Sequence, residues 1–177
     1  MSPSTAITDL KTLVYPARTS GKRFGILEWP PKASLFNFPG NGFVSVKIVL
    51  VAACALVDTD GRVLIAQRPA GKLMAGLWEF PGGKVEDDEA PEQSLIRELR
   101  EELGIVIEEA CLAPLTFASH AYPDFHLLMP LYVCRRWEGQ VTATEGQKLA
   151  WVKPNRLRDY EMPPADVPLI SHLITLL

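Results

Sequence analysis

Glu98, Glu101 and Glu102 are the residues whose spacing in this chain points most directly to chemistry. On a helix, positions i, i+3 and i+4 share a face, with Cβ atoms roughly 5–6 Å apart, so three carboxylates there repel one another by a few tenths of a kcal/mol per pair. A hard divalent cation relieves that repulsion. Magnesium takes oxygen ligands, commonly one or two carboxylates completed by water and phosphate oxygens. The plainer reading of Arg97 to Gly104 is the solvated face of an amphipathic helix, because Glu and Arg are good helix formers. Context favours the chemical reading: Gly82 and Gly83 expose backbone carbonyls just before the helix, and Lys84 and Arg97 place cations near it.

The elements that position these acids follow from periodicity. Residues 90–103 read as a helix, with Pro91 in its first turn and Gly104 at its C′ position. On its wheel Leu95, Ile96, Leu99 and Leu103 form an apolar stripe beside the acidic face. Residues 47–57 and 62–68 read as two strands joined by the Asp- and Gly-rich turn 58–61, which predicts a hairpin. Leu77 to Phe80 is a short apolar stretch, and Pro81-Gly82-Gly83 reads as a turn or sharp bend. Further strands are predicted over 112–120, 125–136 and 148–152, and a last helix over 165–177, with apolar residues at 169, 170, 173, 174 and 177. Strands mixed with two helices indicate a layered α/β domain. Residues 1–43 differ: five prolines and no sustained period predict a poorly ordered N-terminal extension ahead of one domain spanning 44–177. Its aromatics, Tyr15, Phe24, Trp29, Phe36, Phe38 and Phe43, leave docking onto the domain or a partner open.

Composition bounds the function. A chain of 177 residues supports one ordinary domain with a core. A formal net charge of −3 argues against a nucleic-acid polymer as partner, since a duplex binder usually supplies positive charge to displace counterions. Cys54, Cys111 and Cys134 are odd in number and lack ligand spacing, which fits a reducing, cytoplasmic setting without disulfides or zinc. The apolar run 48–57 is far shorter than the roughly 18–20 residues that span a bilayer. His120, His126 and His172 show no metal-ligand spacing and read as structural or surface residues.

Gly83, Glu89, Arg97-Glu98-Leu99, Glu101-Glu102 and Gly104-Ile105 resemble the Nudix box at all nine specified positions over 23 residues. The resemblance implies a Nudix fold, a mixed β-sheet sandwiched between helices, and hydrolysis of a nucleoside diphosphate linked to another group with Mg2+, Mn2+ being possible. It implies Glu98, Glu101 and Glu102 as metal ligands, with the Gly82 carbonyl as a backbone ligand. Arg97 and Glu89 look like the structural pair of the box, Arg97 orienting the catalytic acids. Gly83, Leu99, Gly104 and Ile105 look structural.

Beyond the box, Gly76 to Lys84 resembles the MutT-like nucleoside triphosphate pyrophosphohydrolases, the branch that includes 8-oxo-dGTP diphosphatases and CTP pyrophosphohydrolases. By that resemblance Arg68, Phe80 and Lys84 contact substrate, and Glu145 adds a loop carboxylate to the metal site or acts as base. The general base is then Glu101 or Glu145. Asp166, in Pro163 to Pro168, stands in the base-reading motif, where the best-known oxidised-guanine enzyme has asparagine. An amide both donates and accepts, whereas an ionised carboxylate only accepts. Asp166 therefore suits 8-oxoguanine if burial keeps it protonated, or the exocyclic amine of cytosine if it is ionised. The expected activity is Mg-dependent release of pyrophosphate and a monophosphate, with 8-oxo-dGTP first, as in nucleotide-pool cleaning that protects DNA replication, and CTP or a modified pyrimidine triphosphate second. A Nudix-fold module that binds nucleotide without cutting it is the reading from another class. Plainer readings stand beside each: Arg68 as a strand-end charge, Phe80 as a core aromatic, Glu145 as a solvated loop acid, and Asp166 as the cap of the last helix.

Overall fold

The computed structural model describes residues 46–177, so the expected extension over 1–43 lies outside the described residues. Seven strands and two α-helices follow in order: β1 Ile48–Leu56, β2 Val63–Gln67, β3 Trp78–Glu79, β4 Gly82–Lys84, α1 Pro91–Leu103, β5 Leu112–Ala121, β6 His126–Cys134, β7 Lys148–Val152 and α2 Leu169–Leu176.

Four strands form a mixed sheet in the order β4-β1-β6-β5, with β1 and β6 parallel and the other pairs antiparallel. The remaining three form an antiparallel sheet, β3-β2-β7. Strand alternation sends side chains of β1 to two cores. Ala52, Cys54 and Leu56 pack with Leu95, Leu99 and Leu103 of α1, while Ala53, Ala55 and Val57 join the core that holds Leu169, Ile170 and Leu173 of α2. The two helices thus cover opposite faces of the mixed sheet, which is the layered α/β architecture expected.

Three local expectations are corrected. β1 and β2 do not form a hairpin ladder: Val57 and Val63 make one bridge across the Asp58 turn, and the two strands then diverge into different sheets. Both strands are apolar on both faces, so each can be buried between layers, and a two-strand ribbon would leave one face of each in water. Gly82-Gly83 is an extended segment, pairing Gly82 with Ala53 and Gly83 with Ala52. The bend resides in Gly82 itself, at φ +146°. The last helix begins at Leu169, because residues 165–168 run through successive turns closed by Asp166 N–H on the Pro163 carbonyl and Leu169 N–H on the Asp166 carbonyl. Pro168 cannot donate a backbone hydrogen bond, which suits it to the helix boundary.

Candidate active site

The acidic face of α1 is built from the strand beside it. A Cβ on Gly83 would stand 2.3 Å from the carboxyl carbon of Glu98, so the missing side chain is the space the carboxylate occupies. A Cβ on Gly82 would stand 2.1 Å from the Ala52 carbonyl oxygen, inside the ladder with β1. The two glycines serve different ends, and their alanine variants should separate. Gly83→Ala is expected to keep a urea midpoint near that of the parent while losing most activity, because the flexible end of Glu98 gives way. Gly82→Ala meets rigid backbone at a left-handed φ and should lose at least about 2 kcal/mol in the same urea titration.

Arg97 organises the first half of this face. Its Nε and one terminal nitrogen grip the two Glu89 oxygens at 2.9 Å each, and the other terminal nitrogen reaches Glu98 at 2.7 Å and Glu101 at 3.5 Å. A planar guanidinium is suited to this fork, in which Glu89 fixes the arginine and the arginine fixes Glu98. Glu101 lies at the rim, its side chain 58% exposed. Glu102 faces inward. Burial, and then the nearby charges of Glu98, Glu145 and Glu79, push its carboxyl up to about 7, although the Gly82 N–H donates to it.

Glu145 reaches this group on a loop fastened to the end of α1. Helix C-termini leave carbonyls without intrahelical partners. Here Thr144 N–H and the Gln147 side-chain amide, at 3.1 and 2.8 Å, both donate to the Glu102 carbonyl, Thr142 N–H donates to Leu103 at 3.0 Å, and the Thr144 hydroxyl donates to Glu101. The Gln147 oxygen in turn accepts from Glu145 N–H at 2.9 Å. Gln147 is buried, so its polar side chain is fully committed to that loop. Glu145 itself pairs with Lys72 at 2.8 Å.

The remaining sequence-predicted residues form a second group. Arg68 bonds Glu79, and its Nε donates to the Leu73 carbonyl at 2.7 Å. Phe80 is buried, with its N–H 3.4 Å from a carboxylate oxygen of Asp166. Asp166 is 5% exposed and does not cap α2, whose N-terminus has no side-chain cap. Burial, with a smaller contribution from Glu79, pushes its carboxyl up to about 7. Lys84 is turned outward, 3.9 Å from Glu86. Leu99 and Ile105 are fully buried, and Gly104 ends the helix at φ +68° with its N–H on the Arg100 carbonyl.

Sequence reasoning passed over Lys72, Glu79, Tyr122, Thr144 and Gln147. Tyr122 lies within charge range of both Asp166 and Arg68 and takes a backbone hydrogen bond from Ala165. Glu79 was visible inside Trp78-Glu79-Phe80, but nothing local marks it as the partner of Arg68. The signal for Gln147 was its place two residues after Glu145; its attachment to α1 is a tertiary fact.

The family model for the NUDIX domain matches residues 52–172. The chain belongs to the Nudix family. This Nudix chain is 42% identical over 133 residues to a CTP pyrophosphohydrolase of Escherichia coli, covering 74% of this chain and 95% of that protein. It is 34% identical over 128 residues to an 8-oxo-dGTP diphosphatase of Escherichia coli, covering 72% of this chain and 98% of that one. The solution structure of the E. coli ORF135 protein superposes with a TM-score of 0.66 at 36% identity, covering 77% of this chain and 95% of that one. Among the described residues, no helix of this Nudix chain is long and apolar enough to cross a membrane.

The donor chemistry fits a hard divalent cation: the Glu98 carboxylate packs against extended backbone at Gly83, and burial, followed by the neighbouring negative charges, makes Glu102 resist ionising. As arranged, no three acids, imidazoles or thiols among the described residues enclose a common point. Arg97 pairs with Glu98 and Lys72 with Glu145, so these two acids are already met by cations of the protein.

Proposed function

We propose that this Nudix chain is a divalent-cation-dependent nucleoside triphosphate pyrophosphohydrolase, releasing a nucleoside monophosphate and pyrophosphate, with 8-oxo-dGTP as its preferred substrate. The observation that carries this reading is the buried Glu102 carboxyl, which lies within charge range of Glu98 on the same helix and of Glu145 on the adjoining loop, with Glu98 packed against Gly83.

Glu98 and Glu102, with Glu101 at the rim and the Gly82 carbonyl, would hold magnesium or manganese, which supplies positive charge against the phosphate oxygens when bound. Glu145 or Glu101 takes the proton from the attacking water; both are carboxylates at the edge of the group, where water reaches them. Arg97 acts on the reaction through Glu98, by holding that carboxylate in place. Arg68, paired with Glu79, and Phe80, whose N–H meets Asp166, would contact the nucleotide, and Asp166 would read the base.

A specific observation favours a second substrate. The relative matched over 95% of its length at 42% identity is a CTP pyrophosphohydrolase, and an ionised Asp166 would accept from the exocyclic amine of cytosine. Pyrophosphate release with magnesium, compared across 8-oxo-dGTP, dGTP, CTP and 5-methyl-dCTP, separates the two. A kcat/KM ratio of 8-oxo-dGTP to dGTP of about a hundredfold, roughly 2.7 kcal/mol, is the expected result. A preference for a cytidine substrate moves the base assignment, and nucleotide binding without hydrolysis replaces the enzyme with a reader module.

A further inference from the structure

The loop between β2 and β3, residues 68–77, presents two cations to the acids of the site: Arg68 meets Glu79 and Lys72 meets Glu145. They are held differently. Arg68 is also bonded through Nε to the Leu73 carbonyl, so it belongs to the frame of the loop. The Lys72 ammonium, among the described residues, makes its polar contact with Glu145 alone, reaching across 73 positions of sequence. Both partners of that pair are about half exposed, 51% and 42%, where ion pairs between long side chains contribute little and exchange readily.

The two ends of the pair differ in freedom. Glu145 rides on a loop pinned to the C-terminus of α1 through Thr142, Thr144 and Gln147. Lys72 extends from a run of tight turns, with Gly71 at φ +92° before it and the Ala75 N–H on its carbonyl. An ammonium on a four-carbon stem can turn its three donors to a new acceptor, whereas the bidentate Arg97 fork cannot change partners without breaking several bonds. Lys72 is exposed and also lies within charge range of Glu102 and Arg68, which places its ammonium at the mouth of the acid group.

We propose that Lys72 is a polyphosphate-binding residue that exchanges partners: in the free protein it rests on Glu145, and with substrate present its ammonium moves to a phosphate oxygen, leaving the Glu145 carboxylate to join Glu98 and Glu102 around a divalent cation. This rests on reading those acids as the metal site. The exchange gives a reason for the acids to be tied up in the free protein, since it couples completion of the metal site to arrival of an anion.

Lys72→Met, which keeps the stem and removes the charge, tests it by two binding measurements on the full chain. Mn2+ binding to the nucleotide-free protein should tighten about threefold or more, because a competing cation has left Glu145. Binding of inorganic tripolyphosphate in EDTA should weaken about tenfold, and KM for the triphosphate should rise by a similar factor with kcat within about threefold. Lys72→Arg should restore tripolyphosphate binding. Opposite shifts of the two affinities support the exchange; no shift in either, or shifts in the same direction, overturn it. If the unsubstituted protein binds no Mn2+, the metal-site reading itself fails and the exchange fails with it, an outcome distinct from Mn2+ binding that Lys72→Met leaves unchanged.

Discussion

Glu102→Gln is expected to remove most turnover and, at pH 8, to make the metal-free protein more stable. Both effects come from one cause. The Glu102 carboxyl is pushed from an ordinary 4.5 up to about 7 by burial and by the charges of Glu98, Glu145 and Glu79. The folded state therefore keeps a proton that the unfolded chain releases, and stability falls as pH rises from about 4.5 through about 7. A gap of roughly 2.5 pKa units is a penalty on the order of 3 kcal/mol once the group is fully ionised. Glutamine escapes it. Thermal denaturation should show the two proteins close together at pH 4 and the variant higher at pH 8, with magnesium narrowing the difference by stabilising the parent. Metal uptake at pH 6 should release a proton from the parent and not from the variant. Turnover should fall by about a hundredfold to a thousandfold, the usual cost of removing one preorganised charge from a phosphoryl or acyl transfer site. Full activity in this variant, or lower stability at pH 8, would remove Glu102 from the assignment.

What the sequence disclosed and what it concealed divide along a physical line. The helix over Pro91–Leu103 was legible because its period, its first-turn proline and its closing glycine all agree, and the nine box positions lie within the 23 residues from Gly83 to Ile105 that surround it. β7 was legible too: the strand expected over 148–152 is observed at Lys148–Val152. The expected β1–β2 hairpin was wrong because a tight Asp-Gly turn fixes only the reversal of the chain. Which neighbour each strand then pairs with depends on where its two apolar faces find cover, and β1 found β6, 78 positions away in the register of Ile48 with His126. The same limit governs the site. Arg97 and Glu89, eight residues apart and joined by the helix start, could be paired from the motif; Lys72 with Glu145, and Gln147 with the Glu102 carbonyl, could not, because the first contact joins two loops and the second joins a loop to the end of α1.

Asp166→Asn should abolish the pH dependence of base selection. Asp166 is buried against Phe80, and its carboxyl is pushed up to about 7, by burial first and by Glu79 second. Near pH 6 it is mostly protonated and presents one donor and one acceptor, the pattern that complements O6 and the N7 hydrogen of 8-oxoguanine. Above about 7 it becomes an anion that only accepts, and kcat/KM for 8-oxo-dGTP should fall by up to about tenfold per pH unit relative to the variant. The amide keeps donor and acceptor at every pH, so the two proteins should agree within a few fold at pH 6 and diverge by pH 8. Asp166→Ala has neither group and should lose about a hundredfold throughout, as expected when a site built to hydrogen-bond a base edge loses its partner. The decisive comparison is the same profile with CTP. If kcat/KM for CTP climbs through pH 7 in the parent and is flat in Asp166→Asn, the ionised carboxylate is the working form, it accepts from the exocyclic amine of cytosine, and the preferred substrate is a pyrimidine triphosphate.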